Sequence, residues 1–592
     1  MRRETMKNIV SIILSALLIC SAAACSADTG VTANSNTASD TSAASDNGTE
    51  NDPATDQETD SVIDIEELPS KVDLRDYNGK NYVTPVKRQA FGDCWSFGIA
   101  AAAESSYLYE NDLGIPAEDG TDNDKINFSE RYLSWFVFHS ITEDDVKPGK
   151  VRASQVGEGY DVTEAESKNP NAAFMFGGAL FSGTNMFASG FGPVDEMTEV
   201  NGEYPYAYSD NNVVNPEDYE DYSSSGDWSI PINAQYRNPP LKALLRNGNI
   251  LPCPASRDEN GNYIFSEEGL LAIKSELADG HAVAISALVF GRMNRENWAA
   301  YTPDDNANHV ITIIGYDDNF PKENFAVSGK DGEPDPDSIP PTDGAFIIKD
   351  SYGEIGGFDA KGSYYISYHD QTLRDPISFD FDKADSVKYT DLNYDQYDML
   401  MVGWCAGFDY DNESKMANVF DAEEDEYLYQ ISYRTKKFNT SVHYAIYKDV
   451  TDGSPDKGTL LEEGDNSHSY AGSHTIDLKN EYSLKKGDKY SIVLTMTYKT
   501  DKGTEVYTDV IPYATDLKGK VSVKSVVNKG ESYLFTDGKW TDITELTAKF
   551  AEQAFGENAA LRVAPDFKAT DKDGIAIDNY PIKAILVPAD KH

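Results

Sequence analysis

Cysteine is scarce in this chain, with five in 592 residues. No two of them stand in a Cys-x-x-Cys pair, so neither a zinc ribbon nor a dense disulfide framework is encoded. No His-Glu-x-x-His stretch occurs, and acidic clusters such as "DDNAN" and "DYDNES" lack the spacing of a calcium loop. No metal and no cofactor is therefore expected. Basic residues are also few, 51 against 100 acids, for a formal net charge of −49. Such a chain repels phosphate backbones and anionic headgroups, which argues against nucleic acid as a partner. Long apolar runs are missing beyond the first 25 residues, so no transmembrane helix is expected. What is present is a globular composition: 40% hydrophobic residues, 11% aromatics and 36 tyrosines. At about 150 residues per domain, the length predicts two to four domains.

The first residues, "MRRETMKNIVSIILSALLICSAAAC", combine a basic start (Arg2, Arg3, Lys7), an apolar stretch from Ile9 to Ile19 and small residues up to Cys25. That is an export signal, too short in its apolar part to span a bilayer comfortably. "AAAC" resembles the bacterial lipobox, with Ala22 where leucine is usual. The resemblance implies lipidation of Cys25 and anchoring at the cell surface; the alternative is cleavage after Ala24 and secretion. Residues 26–64 are almost free of large apolar side chains and are expected to be a disordered tether. The tether offers no helical apolar face to fill a cleft, so no inhibitory prodomain is expected. A chain starting near Ile63 is expected to be active as expressed.

Order is predicted to begin near Leu68. After Cys94, "WSFGIAAAAESSYLYEN" is apolar at helical intervals, with Asp93 at the N-cap position. "NFSERYLSWFVFH" predicts a second helix capped near Ser129, and "LLAIKSELADG" a third. "AVAISALVF", "HVITIIGYDD", "AFIIKDSYG" and "SYYISYHD" read as strands. Helices first and strands later predict an α+β domain with two lobes, over residues 65–382. From 383 to 566, alternating strands such as "LYQISYRT", "SVHYAIYKDV" and "KYSIVLTMTY" predict an antiparallel β-sandwich. Residues 567–592 give no reading.

With the signal removed, Cys25, Cys94, Cys253 and Cys405 remain, and only Cys94 opens a helix. A helix N-terminus stabilises a thiolate, which makes Cys94 the candidate nucleophile. Two histidines start apolar strands, His281 and His309. Forty-one residues beyond His309, "IIKDSYG" ends a strand in Asp350, whose carboxylate suits the back of an imidazole.

"LPSKVDLRDYNGKNYVTPVKRQ" followed by "CWSF" resembles the start of the papain family of cysteine peptidases. "NFSERYLSW", "FGGAL", "GPVDEMTEVNGEYPYAY", "LLAIKSELADGHAVAISA", "NHVITIIGYDD" and "IIKDSYG" follow in that family's order. The strand-rich part resembles the lectin-like domain that follows this peptidase in some bacterial surface proteins. The resemblance implies a peptidase with Cys94 as nucleophile, His309 as base and acid, Asp350 as orienter and Gln89 as oxyanion donor. It implies substrate contacts at Gly177, Gly178, Trp95 and Tyr352. It leaves His281 where the family usually has proline. Three features depart from the pattern: Gln89 lies five residues before Cys94 where six is usual, Asp350 replaces asparagine, and Tyr352 replaces tryptophan. Protein or peptide substrates are expected, with glycans for the C-terminal domain. The rival reading is a surface binding protein whose peptidase fold is degenerate. Cys253 and Cys405 read as structural, and Trp404 and Tyr410 read equally well as core or as sugar-binding residues.

Overall fold

Seventeen residues beginning at the candidate nucleophile form the helix around which the N-terminal half is organised. The computed structural model describes residues 68–208, 226–546 and 575–592, except 259–260, 289–291, 304–305, 330–332, 354–355, 384–386, 400, 402–403, 411–412, 499–503 and 513–521. The export signal and tether, with Cys25, lie outside the described residues.

The elements used below are, in chain order, β1 (Lys71–Asp73), α1 (Cys94–Glu110), α2 (Glu130–Val137), α3 (Phe181–Ala188), β2 (Leu245–Ile250), α4 (Glu267–Ala278), β3 (Val283–Ala287), β4 (His309–Asp317), β5 (Ala345–Lys349), β6 (Tyr364–Ser367) and β7 (Arg374–Phe381). The C-terminal half adds β8 (Asn393–Asp395), β9 (Trp404–Tyr410), β10 (Lys415–Asp421), β11 (Glu426–Thr435), β12 (Thr440–Lys448), β13 (Thr459–His468), β14 (Ala471–Leu484), β15 (Lys489–Tyr498), β16 (Thr504–Pro512), β17 (Ser532–Thr536), β18 (Lys539–Asp542) and β19 (Ile582–Pro588).

Helix α1 is buried along nearly its whole length, because alanine and glycine occupy positions where larger residues would hold it off the sheet. At Gly98 an added Cβ would sit 2.4 Å from Val310 Cγ1, so α1 rests directly on β4. Helix α2 is capped by Ser129, whose side chain accepts from Tyr132 N–H. Between α1 and α2, Lys87 is clamped by Glu104 at 3.1 Å and Glu130 at 2.7 Å. Three acids, Glu196 being the third at 3.7 Å, surround this one ammonium and hold its pKa above the ordinary lysine range despite burial.

Two sheets run through the described residues. The larger has 13 strands, in the order β8-β19-β11-β14-β2-β7-β3-β4-β5-β6, then short strands at Ala299–Ala300 and Met293–Asn294, with β1 on β4. The second has nine strands, β9-β16-β15-β10-β17-β18 forming its path, with β12 on β15, β13 on β12 and a short strand at Ile575–Ile577 on β16. Side chains from both sheets, among them Phe420, Ile431, Ile446, Leu494 and Leu586, fill one apolar layer, as a sandwich requires.

Two features go beyond the sequence reading. The sandwich does not have a sheet of its own on one side: β14 pairs with β2, so the peptidase-like sheet continues into it. The last residues, which gave no reading, supply β19, paired antiparallel to β8 and β11 in the middle of that continuation. No described helix is long and apolar enough to cross a membrane.

Candidate active site

Cys94 begins α1, where unpaired backbone N–H groups carry partial positive charge. His309 begins β4, and Asp350 directly follows β5, its antiparallel neighbour. The pairing brings the two side chains together: His309 Nε2 lies 2.8 Å from Asp350 Oδ1, both groups buried. Cys94 is the other group whose charge and hydrogen bonding act on the ring. Burial alone would lower the imidazole's pKa. Asp350 and Cys94 more than offset this, and His309 is pushed up to about 10.

Tyr352 lies flat against His309, with ring centroids 4.9 Å apart and planes 14° from parallel. It stays 36% exposed. Gln89 reaches the same place through backbone pairing. Its N–H donates to Ser351 C=O at 2.9 Å, and Arg88 bridges Tyr352. The Gln89 side chain is held at both ends: Oε1 accepts from Ser351 Oγ at 2.6 Å, and Nε2 donates to Phe91 C=O at 2.7 Å. One of its two amide protons is thus taken up inside the shortened loop.

Gly178 packs on the indole of Trp95, where an added Cβ would come within 2.4 Å. Trp95 itself is 1% exposed, so that glycine covers its indole. Gly177 has φ +72°, and nothing lies within 4 Å of where its Cβ would be. The adjoining Met175 is 48% exposed and packs its backbone beside Gly92. The segment from Met175 to Gly178 thus packs on Gly92 and Trp95, the residues two before and one after Cys94.

Two residues, Tyr208 and Tyr364, have no role in the sequence reading, and a third, Asp93, reads there only as a helix cap. Asp93 occupies the N-cap position of α1, yet its side chain caps nothing. Its carboxyl accepts from Tyr208 Oη at 3.0 and 3.1 Å, is fully buried, and is pushed up by burial to about 8. It is thus protonated at neutral pH, which spares the thiol a second negative charge next to it. Tyr208 also accepts from Ala90 N–H at 3.0 Å, fastening the loop between Gln89 and Cys94. Tyr364, on β6, is buried against Asp350, and burial with that carboxylate holds its phenol well above the ordinary range. Tyr208 is the last residue of the quoted "GPVDEMTEVNGEYPYAY"; Tyr364 carries no local signal, since only strand pairing brings it there.

The remaining predicted positions fall elsewhere. His281 lies between α4 and β3, with Nε2 on Glu110 at 2.8 Å. Cys253 is a free thiol that accepts from Asp375 N–H at 3.4 Å. Trp404, Cys405 and Tyr410 belong to β9, whose side chains are outside the described residues.

A helix-borne thiol against a strand-borne imidazole, with a sandwich fused to the same sheet, defines a fold: that of a papain-like cysteine protease with a C-terminal lectin-like domain. Residues 395–555 match the family described as "Lectin like domain". Among solved structures, the clostridial cysteine protease Cwp84 after propeptide cleavage matches with a TM-score of 0.54 at 20% identity, over 86% of this chain and 97% of that one. The cysteine protease and lectin-like domains of Cwp84, a surface layer associated protein of Clostridium difficile, match with a TM-score of 0.54 at 19% identity, over 88% and 89%. No curated protein matches the sequence.

Proposed function

We propose that this chain is an exported cysteine endopeptidase. The observation that carries the reading is the buried 2.8 Å contact of His309 with Asp350, on a ring that Cys94 also acts on. In the proposed reaction the Cys94 thiolate, paired with imidazolium, attacks the scissile carbonyl carbon, and the C=O π electrons move to oxygen. The Cys94 N–H and the remaining Gln89 amide proton donate to that oxyanion. Collapse breaks the C–N bond, His309 gives its proton to the leaving amine, and a thioester remains. Neutral His309 then takes a proton from water, whose oxygen attacks the thioester. The C–S bond breaks, the acid product leaves, and thiolate and imidazolium are restored.

Gly177 and Gly178 are assigned to substrate backbone, with Trp95 beneath and Tyr352 covering the His309–Asp350 contact. The export signal and Cys25 support lipid anchoring at the cell surface, in keeping with the surface-layer association of Cwp84. The lectin-like domain is assigned to glycans, on the family match.

One observation favours the rival, a binding protein with a degenerate site: Gln89 spends an amide proton on Phe91. Labelling with a thiol-reactive peptidyl epoxide separates the two. Rapid modification confined to Cys94, together with turnover that vanishes in Cys94→Ala, is expected. Slow labelling spread equally over Cys94, Cys253 and Cys405 would leave the binder.

A further inference from the structure

His281 is left out of the chemistry above, yet it is not an idle strand opener. It sits in the turn after α4, and three carboxylates from different elements converge on it. Glu110 ends α1, Glu276 belongs to α4, and Asp380 to β7. Nε2 contacts Glu110 Oε1 at 2.8 Å. Nδ1 faces Asp380 Oδ1 at 3.3 Å and Glu276 Oε2 at 3.7 Å. One ligand atom from each of Glu276, His281 and Asp380 lies within 4.8 Å of the others.

We propose that His281, Glu276 and Asp380 form a site for a divalent metal ion of the zinc type, with Glu110 orienting the imidazole.

The spacing supports a metal over a simple ion pair. Ligands bound tetrahedrally to zinc at 2.0–2.2 Å stand roughly 3.3–3.6 Å from one another. The two contacts of Nδ1 fall around that range, and both exceed the 2.7–2.9 Å of a charge-assisted hydrogen bond. The outer contacts have the form that metal-ligating groups need. A ligating histidine gives its other ring N–H to a carboxylate, and the Nε2–Glu110 contact places one there. Asp380 Oδ2 accepts from Asn247 at 3.0 Å and Asn249 at 3.2 Å, which leaves Oδ1 toward the imidazole. Glu276 Oε2 accepts from Ser378 Oγ at 2.6 Å. No spacing motif announces this set, because its members lie in α4, the following turn and a strand about a hundred residues later. A bound ion would tie the C-terminal end of α1 to α4 and β7.

The test uses the full chain from Cys25 without a histidine tag, in a Cys94→Ala background so that the thiolate cannot capture zinc. After equilibration with micromolar zinc and dialysis, about one equivalent retained and a raised unfolding temperature are expected. Asp380→Asn and Glu276→Gln should lose that zinc. Glu110→Gln, which leaves all three ligands in place, should weaken zinc binding about 10–100-fold. It also keeps the test open if either ligand variant fails to fold. Absence of retained zinc overturns the proposal, as does retention unchanged in all three variants; the cluster would then be an imidazolium held by carboxylates.

Discussion

At the residue scale, Asp350 is the most informative departure from the family pattern. A carboxylate behind His309 adds negative charge where asparagine would add only a dipole, and His309 is pushed up to about 10 in consequence. The sign is fixed by linkage. A histidine whose folded pKa exceeds its unfolded value contributes stability that is complete below about 6.5 and lost as pH rises through about 10. The same window governs the thiolate–imidazolium pair, so the alkaline limb of kcat/KM should lie high. Asp350→Asn is expected to keep the ring oriented and retain substantial activity while bringing that limb down by about one pH unit. Profiles of kcat/KM against pH on an unstructured peptide would measure it. A limb that stays put or rises would detach Asp350 from His309.

At the scale of elements, the legible parts were those whose signals are local. Helix α1 shows its alanine-rich periodicity, Ser129 announces α2, and β4 and β5 are unbroken apolar runs. Residues that rely on pairing were hidden. The strand β2, "LRNGNI", contains the turn-favouring pair Asn-Gly and carries no predicted element; it is a strand because β7 and β14 hydrogen-bond it on both sides. The strand β7 carries Pro376 and a register shift between Arg374 and Ile377. Asp93 was assigned as a cap from its position alone, but burial turns its carboxyl toward Tyr208 instead. Close packing of α1 on β4 is the element-level feature that sets the distance between thiol and imidazole, and Gly98 is its control point. Gly98→Ala should force Val310 and α1 apart, costing about 1–3 kcal/mol of stability and lowering kcat/KM with it. Adding Val310→Ala should recover most of the stability. Urea unfolding and turnover of the three proteins decide this, and a single variant as stable and active as the parent would show that the contact is soft.

At the scale of the molecule, the unexpected feature is that one sheet crosses from the peptidase-like half into the sandwich. The crossing is the pairing of Ala471–His474 with Asn247–Ile250. Two histidines lie at it. The rings of His468 and His474 stack with centroids 3.6 Å apart and planes 12° from parallel. His474 Nδ1 meets Asn247 Oδ1 at 3.0 Å, and Nε2 meets Thr435 Oγ1 at 3.0 Å. Asn247 also donates to Asp380, so the seam and the proposed metal cluster share one amide. Burial lowers both imidazoles, His468 to about 4 and His474 well below the ordinary range, the latter with help from its neighbour's charge. Here the linkage sign is opposite to that of His309. An unfolded chain takes up protons near pH 6.5 that the folded pair refuses, so stability present above that value is lost as pH falls toward about 4. For His468 alone the loss amounts to roughly 3 kcal/mol at the acid end. Because the pair takes up its protons only when the crossing opens, unfolding at pH 5 is expected to begin there. Replacing both residues by glutamine should flatten the dependence of unfolding free energy on pH between 7 and 5, whatever it does to stability at pH 7. Denaturant titrations of both proteins across that range measure the slopes. Parallel slopes would mean that the stacked pair is titrated at no cost and that the seam is not the acid-sensitive part of the molecule.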